Sequence, residues 1–239
     1  MQKTKLDRFI QKYNLNGNVN SVKWTSKDDV LTTSFVTSDK SLMGNVKVDN
    51  VQFEDGDVGV YTTDLLQKLL GVLGDDVILN VSKFGDKAVS LKVKNGTVSV
   101  DYTLSDLSVI PDPPTLKRVP EFQTKIKVDT HFINTFIKGK SALTEAETFT
   151  LILDNSELQV VIGYSSTNTN RVNIPVETTE NGLDDIMSFN ADLFRDVLAA
   201  NKECSSAILE VSNDGLLRVN FKVDDYDSTY YLVAVQGVD

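Results

Sequence analysis

Residues with strong chemical character are few in this sequence. There is one histidine, His131, and one cysteine, Cys204. Neither has a second His, Cys or carboxylate at metal-ligand spacing, so neither marks a zinc or iron site. A Ser-His-Asp arrangement would have to use His131, and no nucleophile-elbow sequence accompanies it. Asp224, Asp225 and Asp227 surround Tyr226 and could attract a cation. That run lacks the glycine and closing glutamate of a calcium loop, and a solvated turn is the alternative. No glycine-rich phosphate loop occurs. The expectation is a protein that is not an enzyme and needs neither cofactor nor metal.

The basic residues carry more information. A net charge of −10 opposes any broad surface that grips nucleic acid. Yet residues 1–14 place Lys3, Lys5, Arg8 and Lys12 against Asp7 alone. Residues 128–140 place Lys138 and Lys140 against Asp129, with His131 beside them. Residues 62–74 and 190–202 balance, with Lys68, Arg195 and Lys202 against Asp64, Asp192 and Asp196. Positive charge is therefore concentrated in segments of helical pattern while the rest of the chain is strongly acidic. Two explanations stay open: ordinary amphipathic helices with solvated lysines, or an acidic body with one segregated positive face that meets phosphate.

The elements that would position these residues are written twice. Tyr61–Val93 reads as a short helix and two hairpin strands, and Phe189–Val223 repeats it. Asp64, Leu65 and Leu70 fall on Asp192, Leu193 and Leu198, while Gly85 meets Gly215. Upstream, Phe9, Ile10 and Tyr13 match Phe132, Ile133 and Phe136, all at helical spacing. Alternating strands follow each: Ser21–Trp24 and Leu31–Val36 around Lys27-Asp28-Asp29, then Phe149–Leu153 and Leu158–Ile162 around Asp154-Asn155. Thr62 or Thr63, Asn190 and Asp129 are the expected helix caps. A strand over Phe122–Val128 precedes the second copy's first helix, and the first copy has almost no counterpart.

Between the copies, Leu104–Phe122 holds four of the five prolines. That density enforces an extended connector, either a plain linker or a strap whose Leu116 and Val119 are open to partners. The expected organisation is a domain over 1–108, a connector over 109–121 and a second domain over 122–239. No long apolar run spans a membrane, a signal-peptide core is missing from the start, and the single cysteine fits a reducing compartment, so a cytoplasmic location is expected.

Two helix–strands–helix–strands units, a proline-rich connector and a final strand reading Tyr230-Tyr-Leu-Val-Ala-Val235 resemble the sliding clamps of DNA replication. Phe189–Val235 is similar to the closing segment of proliferating cell nuclear antigen clamps, and Gln52–Asp76 with the connector resembles clamps of T-even-type bacteriophages. The resemblance implies an α+β DNA-clamp fold: two tandem domains, each with two helices on antiparallel sheets, assembling as a homotrimer into a closed ring around duplex DNA. It implies a processivity factor that tethers a DNA polymerase and is handled by a clamp loader, in the host cytoplasm if viral. The lining residues would be Lys3, Lys5, Arg8, Lys12, Lys68, His131, Lys138, Lys140, Arg195 and Lys202, in loose sequence-independent contact with phosphate.

By family position, partners would be captured at Leu42, Met43, Leu116, Val119, Tyr231, Val233 and Ala234, the last standing where cellular clamps have proline. Chains would join at edges over Thr97–Leu104, with Val98, Val100 and Tyr102, and over Arg171–Glu177, with Val172, Ile174 and Val176. Pro175 would keep that ladder short. The competing expectation is a non-enzymatic structural or adaptor β-protein, such as a virion component, whose repeat reflects duplication alone.

Overall fold

Leu6, Phe9, Ile10 and Tyr13 fall on one side of helix α1 (Lys3–Asn14) and all four are buried. Their spacing is what a helix needs to lay an apolar stripe on a sheet. The computed structural model describes residues 2–116, 118–155, 157–165, 167 and 170–235. After α1 come β1 (Val22–Lys27), β2 (Val30–Val36), β3 (Leu42–Val48), β4 (Gly56–Val60), α2 (Thr63–Leu70), β5 (Ile78–Phe84), β6 (Lys87–Asn95) and β7 (Val98–Thr103). Next are β8 (Thr124–Asp129), α3 (Thr130–Ala142), β9 (Thr148–Asp154), β10 (Glu157–Ile162), β11 (Val172–Pro175) and β12 (Thr178–Glu180). The chain closes with β13 (Met187–Asn190), α4 (Ala191–Ala200), β14 (Ser206–Ser212), β15 (Leu216–Val223) and β16 (Tyr226–Val233).

Two units result. One comprises Met1–Ser38, Gly44–Pro114 and Asp224–Ser228; the other comprises Asp39–Met43, Thr115–Val223 and Thr229–Asp239. The connector thus changes unit after Pro114, and its residue 117 lies outside the described residues. In the first unit the strand orders are β3-β2-β1-β4 and β5-β6-β7. In the second they are β11-β10-β9-β13 and β12-β8-β14-β15-β16. Reading β1 for β9, β4 for β13 and β5 for β14, the orders coincide except that β12 and β8 extend the second unit's larger sheet beyond β14. Even the joint between the two sheets of each unit repeats: Ser105 N donates to Gly59 O at 2.9 Å, and Val235 N donates to Ser188 O at 2.8 Å. The strand before the second copy's first helix is β8, whereas its first-copy counterpart is reduced to an isolated bridge between Gln2 and Asp76.

The turns follow from their residues. Asp28 and Asp29, both at positive φ, close the β1–β2 hairpin, as a two-residue turn between right-twisted strands requires. Gly85 and Gly215 take the same left-handed conformation in their respective hairpins. Each core is aromatic. In the first unit Phe9 and Tyr13 meet Trp24 edge-on at 5.6 and 6.3 Å between centroids. In the second, Phe136 meets Phe149 and Phe194 edge-on at 5.2 and 5.0 Å, and Phe149 stacks on Phe194 at 4.8 Å.

The caps divide by copy. Asp129 accepts from Phe132 N at 2.7 Å and Asn190 accepts from Leu193 N at 2.9 Å, as expected from sequence. Neither Thr62 nor Thr63 caps α2 in that way. Asn20 does so from a distant loop: its carbonyl takes Thr63 N and its Oδ1 takes Asp64 N, each at 2.9 Å. The α2 helix also ends at Leu70, short of the expected 74, because the following residues tighten into turns in which Val72 N bonds Leu69 O and Leu73 N bonds Leu70 O.

Phe136→Ala removes the ring that touches three other rings in the second unit. The expected loss is about 3–5 kcal/mol of unfolding free energy, measured by urea titration. A loss under about 1 kcal/mol would show that the cluster closes around the gap and that this ring does not anchor α3.

Candidate nucleic-acid interface

With the apolar stripes turned to the sheets, the outward face of each helix is fixed. On α3 exposed His131, Asn134, Lys138 and Ser141 form a stripe of three-four-three spacing, Thr130 and Ala142 at the helix ends are exposed too, and none of the six is a carboxylate. On α4 the corresponding stripe is Asp192, Arg195 and Ala199, continued by exposed Lys202. On α2 it is Leu65 and Lys68. Among the described residues, Lys68, Lys138 and Lys202 are exposed and take part in no ion pair. Asn134 and Ser141 were not singled out from sequence; their polar types at the same spacing as His131 and Lys138 are the signal that marks them.

Other candidates are differently placed. Lys140 is buried, with its ammonium donating to Thr144 O at 2.9 Å and paired with Asp192 at 3.1 Å. It ties α3 to α4 and cannot line a channel, which corrects the expectation. The reason is the helical period: two residues after exposed Lys138, the chain has turned back to the packed side. Arg195 is partly exposed and bonded to both Asp192 and Asp196.

Helix α1 departs furthest from the expectation of a free basic face. Lys12 is buried, with Nζ 5.2 Å from the Tyr226 ring centroid, so its predicted role in lining a channel is also corrected. Lys3 lies 3.7 Å from Asp7. Lys5 pairs with Asp225 and donates to Asn50 O at 3.2 Å. Arg8 Nη1 is 3.0 Å from Asp224 Oδ2, and its guanidinium lies 4.5 Å from the Tyr226 centroid. The acidic turn considered for a cation thus has Asp224 and Asp225 engaged by Arg8 and Lys5.

Titration follows these contacts. The Lys5 ammonium, donating to Asp225, holds that carboxyl below its ordinary range, and Asn50 Nδ2 adds a weaker donor at 3.3 Å. Burial pushes Asp7 the other way, against the pull of Lys3.

The residues expected to capture partners also divide. Leu42 is fully buried in β3, a correction that follows from the strand's alternation, which turns it inward with Val46 and Val48. Leu116, Val119 and Val233 are exposed, and Met43, Tyr231 and Ala234 are half-buried. Val119 opens on a cavity of about 500 Å³ shared with Phe122, Lys125 and Arg218, the last stacked 4.3 Å over the Phe122 ring. At the candidate chain edges, Val100, Tyr102 and Ile174 prove to be core residues, again by alternation. Tyr102 is further fixed by accepting from Thr62 N at 2.9 Å. Val98 is exposed, Val172 and Val176 are half-buried, and β7 and β11 end their sheets in the described strand order.

This duplicated architecture, helix pairs on antiparallel sheets in an α+β chain, is the DNA-clamp fold. Two solved structures superpose on it almost end to end. The PCNA of A. fulgidus, bound to the C-terminal region of FEN-1, gives a TM-score of 0.76 at 14% identity over 100% of this chain and 98% of that one. The proliferating cellular nuclear antigen of Entamoeba histolytica gives 0.73 at 14% identity, over 98% of this chain and 96% of that one. No protein-family model matches the sequence, and no curated protein matches it significantly.

Because its folded pKa is depressed, Asp225 contributes stability that is present above the unfolded carboxylate value and lost as pH falls through the folded one. The stability difference between the wild type and Asp225→Asn should therefore be constant near neutrality and shrink below about pH 4. Urea titrations across pH measure it. A difference unchanged into acid would show that the Lys5 contact does not perturb the carboxyl.

Proposed function

We propose that the protein is a sliding clamp: three copies close a ring around duplex DNA and hold a DNA polymerase, placed there by a clamp loader. The observation that carries this reading is the carboxylate-free exposed stripe of α3, with Lys202 just past the end of α4 in the same unit and Lys68 on α2 in the other, in a chain whose net charge is −10 and whose fold is that of PCNA. An acidic body repels phosphate everywhere except at such a face. Side chains that reach only backbone phosphate bind without sequence preference, as a mobile ring requires.

Chain-to-chain closure would use the backbone edges of β7 and β11, with Val98, Val172 and Val176 beside them. Pro175, lacking an amide hydrogen, shortens the ladder. Partners would dock at Leu116, Val119, Tyr231, Val233 and Ala234, with Met43 at their margin. The similarity of Gln52–Asp76 and the connector to T-even-type clamps supports a bacteriophage origin. Among the described residues no helix is long and apolar enough to cross a membrane.

Light scattering at tens of micromolar should give three times the mass of one chain; a monomer under those conditions removes the stable-ring form of the proposal. Changing Lys68, Lys138 and Lys202 to glutamate should leave the thermal midpoint nearly unmoved, since exposed charges contribute little. Polymerase stimulation in primer extension should nevertheless be lost, most completely at low salt where screening is weakest. Full stimulation by that variant would mean the exposed lysines are merely solvated.

A further inference from the structure

Every cation of α1 already has an anion or an aromatic face, and most come from one short turn. Asp224 and Asp225 lie between β15 and β16, yet belong with α1 in the first unit. The turn is fastened at separate points. Asp49 N donates to Asp225 O at 2.9 Å, Tyr226 OH donates to Lys5 O at 2.8 Å, and Asn50 Nδ2 reaches Asp225 Oδ1. The carboxylates on Arg8 and Lys5 are therefore set there by backbone and ring contacts and do not rest on two flexible side chains meeting by chance. Beneath them, the Tyr226 ring faces both Arg8 and Lys12. An oxygen anion fixed beside a guanidinium and an ammonium is what a DNA phosphate would also offer.

We infer that the Asp224–Tyr226 turn is a built-in competitor for phosphate, so that α1 contacts DNA only by exchanging one anion for another. The inference rests on the clamp reading above. The Arg8 and Asp224 side chains are 30% and 66% exposed, so a phosphate oxygen can approach Arg8 as the carboxylate swings out. The exchange conserves charge at the helix: a pair is broken for each pair made. Its net gain is smaller than that of an unengaged lysine such as Lys138. Contact through α1 is thereby held weak, and the grip on the duplex falls to α2, α3 and the end of α4. A ring that must move along DNA gains from cations whose affinity is capped in this way, because every phosphate contact made must also be broken.

The test uses the full chain carrying Asp224→Asn and Asp225→Asn together, with anisotropy of a fluorescent duplex oligonucleotide followed over a salt series. Asparagine keeps the size and much of the hydrogen bonding of the turn, and circular dichroism checks the fold. Asp224→Asn alone serves if the pair of changes unfolds the protein. Binding should tighten at low salt, and the slope of log affinity against log salt should steepen by about one unit for each phosphate contact released to the helix. Adding Lys5→Gln and Arg8→Gln should abolish the gain. A variant with wild-type affinity and slope overturns the inference, as does a gain that survives the two glutamine changes, since it would then come from net charge alone. If the wild type itself shows no salt-dependent association, the clamp reading fails and the inference with it.

Discussion

Burial of one aromatic stripe per helix is the constraint on which the rest of this structure depends. Phe9 and Tyr13 on α1, and Phe132 and Phe136 on α3, must lie against their sheets, where Trp24 of β1 meets the first pair and Phe149 of β9 meets Phe136. Burying rings of this size outweighs every surface interaction in the molecule, each worth about 1 kcal/mol or less. The rotation of each helix about its axis is therefore not negotiable, and the charged residues take whatever positions remain. Lys138 and Lys140 differ by two residues, and that alone separates a solvent-facing ammonium from one locked against Asp192.

The two copies have solved their helix starts differently. In the second, the residue just ahead of each helix supplies the cap, and the start is stable on local grounds. In the first, β8 has no full counterpart and α2 takes its cap from Asn20, so both starts lean on distant loops. Asn20 also donates to Asp64 Oδ2 at 2.8 Å, and Tyr13 OH lies 3.2 Å from Thr63 Oγ1, which couples α1, its following loop and α2. The first unit thereby ties its helix pair together by hydrogen bonds near α2's start, where the second uses the Lys140–Asp192–Arg195 charge group. The same fold is held by different chemistry in its two halves, which accounts for how far the copies have diverged in sequence while keeping one strand order.

Charge is arranged with similar economy. Where Lys68 of α2 and Lys138 of α3 stand in solvent, Lys5, Arg8 and Lys12 of α1 are answered by a hairpin turn contributed from more than two hundred residues away. The acidic balance of the chain is thus not a uniform coat; part of it is directed at specific cations.

Much of this was legible in the amino-acid order. The duplication could be read from paired landmarks such as Gly85 with Gly215, and the α+β clamp architecture followed, because apolar period and turn residues are local properties that survive divergence. Caps at Asp129 and Asn190 were legible for the same reason: cap and helix are adjacent in the chain. Lys68, Lys138 and His131, picked out by their place in segments of helical pattern, are exposed on α2 and α3, and Lys202 is exposed just past the end of α4. What sequence could not settle is which lysines are answered, since Lys5 and Asp225 are brought together only by the fold, and net charge over a helix is blind to such partners. Nor could it tell Leu42, Val100, Tyr102 and Ile174 from residues on the outer side, because alternation along a strand gives two faces and only packing decides which of them is the core.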